Sequence, residues 1–543
     1  MLGSSGCRKL LGRSISAWLP HSRSPTACPA SPARTQHCTN VVATCRYELK
    51  WTECYVAKPP PPTCRAGTDC GGTGEWTTWL DTPPTPSYSN PGTIPFPKSK
   101  DLLGWEYKSG ANPGYGGGNH VASSADTWYP SWGADGNLYT PWTDGSVVDD
   151  DTHKGTRSGS GRRRQQDAVS SFSGLSKADA TDDKAGPRMT TTGQAVIVGD
   201  DPFGLNITKV KTFPSSPYPY QGRYPCGSLM YKGTWWYGTY MLDNPNSTVG
   251  NNSVGPNPGP NCGNWCIQGP VTDFRHSLDK GVTWHEERVV AKDSRDNLFG
   301  ETAQDNSRVK FGAPHWVDFG QELEHSPDGK AYLVGHGATS PESIQAWMLG
   351  DQVYMARVTP TVADIADKSK WEFYAGGHGA SAKWVTGDVS LAKPLVDWTN
   401  HTGVVTMTYF AGIKKFVLSI STATIYPYMT HQFDTYFLES DAITGPWSYV
   451  TYMSMFGPEA YFVNHPSKFS AKQANTTAKT YDAFLMYSAN FAFHSKGILP
   501  PNSAYHMNLQ QARFPLSDAF AAKLEKRYAA AAAGADVAAQ ANK

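Results

Sequence analysis

Three carboxylates in the central part of the chain have the residue type and surroundings for acid–base chemistry: Asp126, Asp318 and Glu459. Hydrolysis of a glycosidic bond needs one carboxyl group that is held protonated as an acid and another that is ionised as a nucleophile or base. Glu459 follows the apolar segment Phe456-Gly457-Pro458, whereas Asp126 lies beside polar Ser and Thr residues. We therefore expect Glu459 to be the acid and Asp126 the ionised partner.

Further side chains are predicted to bind substrate around these carboxylates: Trp128, Asp144, Arg223, Tyr224, His315 and His465. Arg223 would hold a neighbouring carboxylate ionised or bind an acidic sugar. A second hypothesis is a polysaccharide lyase in which His315 is the base and Arg223 neutralises a uronate. A third is a carbohydrate-binding protein without catalysis.

Each candidate also has a structural interpretation. Asp126 can cap a turn, Asp318 can pair with a neighbouring backbone group, and Glu459 can form a salt bridge. Asp144 is first a turn residue, and the two histidines can be satisfied structural donors.

The candidates converge only if the elements that carry them form a ring. The sequence repeats a strand–turn–strand unit five times, often with an aromatic-rich strand after D-G or K-G. This pattern predicts an all-β fold, a five-bladed β-propeller, in which the first strand of each blade lines a central channel. The units contribute in turn Asp126 with Trp128, Arg223 with Tyr224, His315 with Asp318, Asp397, and Glu459 with His465. A β-sandwich is the alternative architecture.

Composition outside the repeats indicates the domain layout. A P-P-P-P run with glycines after it is typical of a linker, and the C-terminal Ala-rich segment predicts a short helix. We predict an unstructured leader over 1–37, a small Cys-rich module over 38–70, a linker and extended wrap over 71–114, the propeller over 115–517 with a surface insertion at 149–188, and a tail over 518–543.

Cysteines and glycosylation motifs favour an extracellular location. Seven of the ten cysteines lie in the first 70 residues, so the module would be disulfide-bonded in an oxidising compartment. The absence of a CxxC pair there makes zinc the weaker interpretation. N-x-S/T motifs begin at Asn206, Asn246, Asn251, Asn400 and Asn475. The first 30 residues nevertheless lack the apolar run of a signal peptide, and no stretch is apolar for the length of a membrane span.

Charge balance restricts the partners. The 543 residues carry 48 basic and 47 acidic side chains, so no net field would attract nucleic acid or an anionic membrane. We expect a polysaccharide or oligosaccharide partner, a monomer and no cofactor. The sequence does not decide whether the channel holds a structural calcium ion, and no contiguous ligand loop is visible.

The segment from Ser277 to Trp284 has the pattern S-x-D-x-G-x-T-W. It predicts a hairpin turn in which Ser277 and Asp279 bond turn amides, Gly281 supplies a positive φ and Trp284 packs beneath. The pattern resembles the Asp-box of sialidases and related propellers. This resemblance implies a structural role for Asp279, which we exclude from the catalytic candidates.

Ala125-Asp126-Thr127-Trp128 followed by Asp135-Gly136-Asn137-Leu138-Tyr139 resembles the first blade of the five-bladed glycosidase propellers, which include arabinanases, xylosidases, invertases and D-arabinan hydrolases. Gly445-Pro446-Trp447 is similar to their blade edges. The resemblance implies a catalytic role for Asp126. Those families usually place a second Asp on blade two and a Glu acid on blade three, where this chain has Tyr224-Pro225-Cys226-Gly227 and the pair His315 and Asp318.

Overall fold

The computed structural model describes residues 43–48, 51–56, 74–78, 93–113, 123–147, 192–213, 224–240, 270–287, 297–301, 309–337, 349–423, 433–453, 456, 461–489, 503 and 505–541. The chain divides into the units Met1–Pro62 and Thr63–Lys543. In the first unit β1 (Ala43–Glu48) and β2 (Trp51–Val56) form an antiparallel hairpin whose register places the Cα of Cys45 opposite that of Cys54. The predicted insertion at 149–188 and the other cysteines of the predicted module lie outside the described residues, and disulfide bonding stays a prediction.

The second unit is a five-bladed propeller, as the repeats predicted. Two short strands, β3 (Trp76–Thr78) and β4 (Glu106–Lys108), come before the first blade in the chain. Blade one comprises β5 (Ser123–Asp126), β6 (Ser131–Trp132), β7 (Leu138–Val147), β8 (Thr192–Val198) and β9 (Asn206–Phe213). Blade two comprises β10 (Tyr224–Tyr231), β11 (Thr234–Tyr240) and β12 (Val271–Ser277).

Blade three is the largest sheet. It comprises β13 (Gly312–Trp316), β14 (Ala331–Gly337), β15 (Gly350–Val358), β16 (Glu372–Tyr374) and β17 (Trp384–Thr386), with β18 (Val396–Thr402) paired to β15. A short helix, α1 (Val362–Ala366), follows β15; Thr361 caps it by accepting from the Asp364 amide at 3.1 Å.

Blades four and five complete the ring. Blade four comprises β19 (Val404–Phe410), β20 (Lys415–Ala423), β21 (Phe433–Ser440) and β22 (Ser448–Met453). Blade five comprises β23 (Tyr461–Asn464), β24 (Thr480–Ser488) and β25 (Asn508–Pro515), followed outward by β4 and β3.

The 71–114 segment, predicted as a linker and wrap, therefore supplies the two outer strands of blade five. Trp105 is fully buried and packs edge-on against Phe437 and Phe456. Lys415 joins the segment to blade four, because its ammonium lies 2.5 Å from Asp101 and 2.9 Å from Glu439. Apolar burial and these ion pairs hold the N-terminal strands in place.

Apolar side chains fill the space between neighbouring blades. Every residue of β14 and of β21 is buried, because each blade packs against a neighbour on both faces.

The predicted C-terminal helix is present as α2 (Asp518–Ala541). Phe520 and Leu524 enter the apolar cluster shared with blades four and five. The Tyr528 hydroxyl donates to the Gly412 carbonyl at 2.7 Å and accepts from the Ala474 amide at 2.9 Å. In the described part of the chain, no helix combines the length and the apolar character that crossing a bilayer requires.

The segment from Ser277 to Trp284 forms the predicted tight turn. The Asp279 carboxylate accepts from the Thr283 amide at 2.8 Å and hydroxyl at 2.6 Å, and Ser277 Oγ accepts from the Gly281 amide at 2.7 Å. Gly281 has φ of +94°, and Trp284 packs edge-on against Trp235 at 5.1 Å. The relation of this turn to the Asp-box of sialidases stays a prediction.

Candidate functional site

The first strand of each blade, or the residues just after it, borders a narrow cleft that is partly open to solvent. All five blades contribute to its lining. Blade one supplies Tyr129 and Pro130, blade two Gly227 and Ser228, blade three His315, Trp316 and Asp318, blade four Thr406 to Thr408, and blade five Asn464 and His465. Residues more than 300 positions apart in the sequence thus share one chamber, as expected for inner propeller strands.

Asp126 ends the first inner strand, three residues before Tyr129 of the cavity wall. Its side chain is buried, and both carboxylate oxygens receive hydroxyl donors. Thr127 Oγ1 donates to Oδ1 at 2.7 Å, and the Tyr505 hydroxyl of blade five donates to Oδ2 at 3.0 Å. The carboxylate is therefore fixed in orientation from two different blades.

The backbone next to Asp126 is strained. Thr127 has φ of +68°, a left-handed conformation that is costly for a β-branched residue. Such outliers persist where the surrounding structure enforces them, and they concentrate at functional sites. Here the enforcing contacts are full burial of Trp128 and the bond from its indole N–H to the Ala125 carbonyl at 2.9 Å. Trp128 was predicted to bind substrate, but with no exposed surface it supports the strand from the core.

Asp318 lies two residues after the end of β13, the inner strand of blade three, and is half-buried. The Ser467 amide donates to Oδ2 at 2.7 Å, while the Ser467 hydroxyl at 2.7 Å and the Gly320 amide at 2.9 Å donate to Oδ1. Burial raises the pKa of this carboxyl, and these donors oppose the rise. The Asp318 backbone also pairs with Met407 and Tyr409 of blade four. Asp318 thus joins blades three, four and five.

His315 is fixed at the centre of the channel. Its ring stacks on Tyr129 with centroids 3.4 Å apart, and its Nδ1 accepts from the Gly227 amide at 3.2 Å. Burial, followed by the nearby His336, holds the pKa of His315 well below the usual range, so the ring is neutral at physiological pH. Because Nδ1 is the acceptor, the hydrogen of the neutral ring is assigned to Nε2, which has no partner among the described residues.

His465 is as buried as His315 and lies among aromatic side chains. Its ring is surrounded by Phe410, Phe437 and Phe514 at centroid distances of 5.6, 4.9 and 5.5 Å. Neither ring nitrogen has a partner within the described part of the chain. Burial lowers the pKa of His465 to about 3, so the ring is uncharged at neutral pH.

The other predicted residues fall into two groups. Glu459 and Arg223 lie outside the described residues, and Asp144 and Tyr224 lie on β7 and β10 without described side chains. Asp397 was predicted to begin the inner strand of blade four, and this prediction is wrong. It is exposed on β18, opposite Gln352 of blade three, because the strand that follows it, β19, is the one that faces the channel.

Sequence reasoning missed Tyr129 and Tyr505. Tyr129 directly follows the candidate Trp128 but was not among the predicted site residues, and its hydroxyl is buried without a partner among the described residues. Tyr505 had no signal, since its partner lies 379 positions away. No group of three or more His, Cys, Asp or Glu side chains that could hold a metal ion occurs within the described ranges.

The topology defines the class of protein as a five-bladed β-propeller. No protein-family model and no curated protein matches the chain. Among solved structures it is similar to an exo-1,5-α-L-arabinanase from a bovine ruminal metagenomic library, at 11% identity and a TM-score of 0.31, over 72% of this chain and 94% of that one.

Two further solved structures are similar at the same low identity. One, from work on GH130 glycoside hydrolases that target β-1,2 mannosidic linkages in Candida mannan, has 11% identity, a TM-score of 0.35 and coverage of 76% of this chain and 94% of that one. The other is a glycosyl hydrolase from Bacteroides ovatus with 11% identity, a TM-score of 0.34 and coverage of 80% and 96%. The fold described above rests on the chain's own strand topology.

Proposed function

We propose that the protein is a glycoside hydrolase whose ionised catalytic carboxylate is Asp126. The observation that carries the proposal is the environment of Asp126: a buried carboxylate on the inner strand of blade one, with a hydroxyl donor on each oxygen and a strained residue beside it. Hydroxyl donors favour the ionised form of a carboxylate and fix its direction. A nucleophile or general base in glycoside hydrolysis needs both properties.

Glu459 is the proposed proton donor. It precedes β23, the inner strand of blade five, and blade five adjoins blade one: Asn464 donates to the Trp128 carbonyl at 2.8 Å. Neighbouring inner strands bring carboxyl groups within the roughly 5 to 10 Å that glycosidases use. The like charge of Asp126 would raise the pKa of such a neighbour and favour its acid form.

Asp318 is the third carboxylate of the predicted set. Its oxygens already accept from Ser467 and Gly320, so we assign it to support of the channel wall rather than to the reaction.

The test is turnover of a panel of aryl furanosides and pyranosides and of neutral polysaccharides. Asp126→Asn and Glu459→Gln should each lower kcat by about 10³-fold or more while binding is preserved. Asp397→Ala is the control, because this carboxylate is exposed on β18, and it should keep wild-type kcat. Near wild-type turnover in Asp126→Asn would refute the proposal.

The lyase hypothesis is less well supported. A lyase base needs a lone pair directed at the substrate, whereas the bond from Gly227 occupies Nδ1 of His315 and leaves a hydrogen on Nε2. With its hydrogen on a buried Nε2, the His315 ring is not placed to act as that base. Ultraviolet absorption from an unsaturated uronate product would support the lyase hypothesis instead. Binding without turnover of any substrate would favour the non-catalytic alternative.

We also propose that the protein is secreted and glycosylated. The asparagines of three motifs, Asn206, Asn400 and Asn475, are exposed on the propeller, which oligosaccharide transfer requires. An endoglycosidase treatment of protein from its native source should increase its electrophoretic mobility. Unchanged mobility, together with unmodified peptides in mass spectrometry, would refute glycosylation.

A further inference from the structure

We infer that Tyr505 is a positioning residue for the reaction: its hydroxyl, donated across the junction of blades five and one, holds the Asp126 carboxylate in its reactive state and orientation. The inference rests on the proposed function, because it assigns Tyr505 a role through Asp126. Tyr505 precedes β25, and the hydroxyl–Oδ2 distance of 3.0 Å is that of a formed hydrogen bond.

Contacts other than the Tyr505–Asp126 bond also hold the two backbone segments next to each other. Ser488 Oγ of β24 lies within hydrogen-bond distance of the Ala125 carbonyl at 3.2 Å and the His506 carbonyl at 3.3 Å. One side chain of blade five thus contacts the residue before Asp126 and the residue after Tyr505. The hydroxyl and the carboxylate are held in register by the backbone on both sides, so the bond is built into the blade junction.

Other tyrosine–aspartate pairs in the molecule show what a purely structural bond looks like. The Tyr139 hydroxyl donates to Asp135 at 2.7 Å, and the Tyr332 hydroxyl donates to Asp328 at 3.1 Å. Both pairs are four residues apart in D-G-x-x-Y turns within a single blade, and each carboxylate also pairs with a cation, Lys280 or Arg357. The Tyr505 bond differs because it joins two blades at the catalytic carboxylate.

Two hydroxyl groups together fix the orientation of the Asp126 carboxylate. Thr127 donates to Oδ1 from the same strand, and Tyr505 donates to Oδ2 from the neighbouring blade. Because each oxygen has its own donor, the Asp126 carboxylate is kept from rotating about its Cβ–Cγ bond. A hydrogen bond to a charged group is about twice as strong as a neutral one, so loss of either donor should be measurable.

The experiment compares Tyr505→Phe with the matched control Tyr139→Phe over a range of pH. Each change removes one hydroxyl donor from one aspartate and keeps the ring. In Tyr505→Phe the ionised form of Asp126 loses a donor, so the acidic limb of the kcat/KM profile should move to higher pH by about 1 unit, with about a 10-fold loss below the limb. Tyr139→Phe should lower the melting temperature and leave the limb in place. An unmoved limb in Tyr505→Phe, or an equal shift in Tyr139→Phe, would overturn the inference.

Failure of the inference and failure of the proposed function are separable. If Asp126→Asn keeps its turnover, the proposed function and the inference fail together. If Asp126→Asn abolishes turnover while Tyr505→Phe leaves the limb unmoved, the inference alone fails. A double-mutant cycle of Tyr505→Phe and Asp126→Ala, read from melting temperatures, adds a test without substrate. Additive effects would show that the hydroxyl and the carboxylate are not coupled, which also overturns the inference.

Discussion

Asp126 ends the inner strand of blade one and Asp318 follows the inner strand of blade three, yet the two carboxylates have different partners. Asp126 receives hydroxyls from Thr127 and Tyr505, beside a strained backbone. Asp318 receives two backbone amides and one hydroxyl from loops of blades three and five. Asp318, whose oxygens accept from loop amides, ties three blades together, whereas Asp126, held by side-chain hydroxyls beside a strained residue, is the carboxylate that we propose for the reaction.

The largest expected effect on stability is that of Asp318→Ala. The change leaves the Ser467 amide, the Ser467 hydroxyl and the Gly320 amide without their acceptor. We expect a loss of about 3 kcal/mol in the free energy of unfolding, measured by urea denaturation. Turnover per folded molecule should stay within about threefold of wild type.

Asp397→Ala is the control for this prediction, and it should change the free energy of unfolding by less than about 0.5 kcal/mol because the side chain is exposed. A collapse of turnover in folded Asp318→Ala would place Asp318 among the catalytic residues and remove the distinction between the two carboxylates.

His465 gives the next largest effect, and the effect depends on pH. The pKa of His465 is lowered to about 3 by burial, against about 6.5 in an unfolded chain. Below pH 6.5 the unfolded state binds a proton that the folded state excludes, so His465 lowers stability as pH falls from about 6.5 towards 3. His465→Phe removes this penalty and suits the surrounding phenylalanines.

The His465→Phe variant should gain about 2 kcal/mol over wild type at pH 5 relative to its difference at pH 8, from 1.36 kcal/mol per unit over 1.5 units. Melting temperatures at the two pH values measure it. An identical difference at both would show that the ring exchanges protons freely, and hence that it is open to solvent and available to a ligand.

The blades were predictable from the sequence because their signals are local. D-G and K-G turns followed by aromatic strands occur within about 20 residues, and the turn from Ser277 to Trp284 needs only its own residues. Asp126 could be chosen for the same reason, since it precedes such a hairpin.

What could not be predicted depends on contacts between distant segments. Pairing of β4 with β25 joins Tyr107 to Ala512, and no local pattern specifies it. The Tyr505–Asp126 bond and the burial of Trp128 likewise require the closed ring. Asp397 was misplaced because β18 and β19 are consecutive strands separated by one residue, and only the sheet pairing shows which faces the channel.

The smallest effect expected is that of Asp279→Ala, which extends the comparison to the surface. Asp279 accepts donors from Thr283 as Asp318 does from Ser467, but it is exposed, so water replaces the lost bonds. The melting temperature should fall by less than in Asp318→Ala, with turnover unchanged.

The effect of Asp279→Ala should also depend on pH. Bonds from the Thr283 hydroxyl and amide lower the pKa of Asp279 to about 2, so its contribution to stability is complete above about pH 4 and is lost as pH falls towards 2. The difference between wild type and variant should therefore shrink on acidification. A loss of turnover without a loss of stability would show instead that this turn belongs to the functional site.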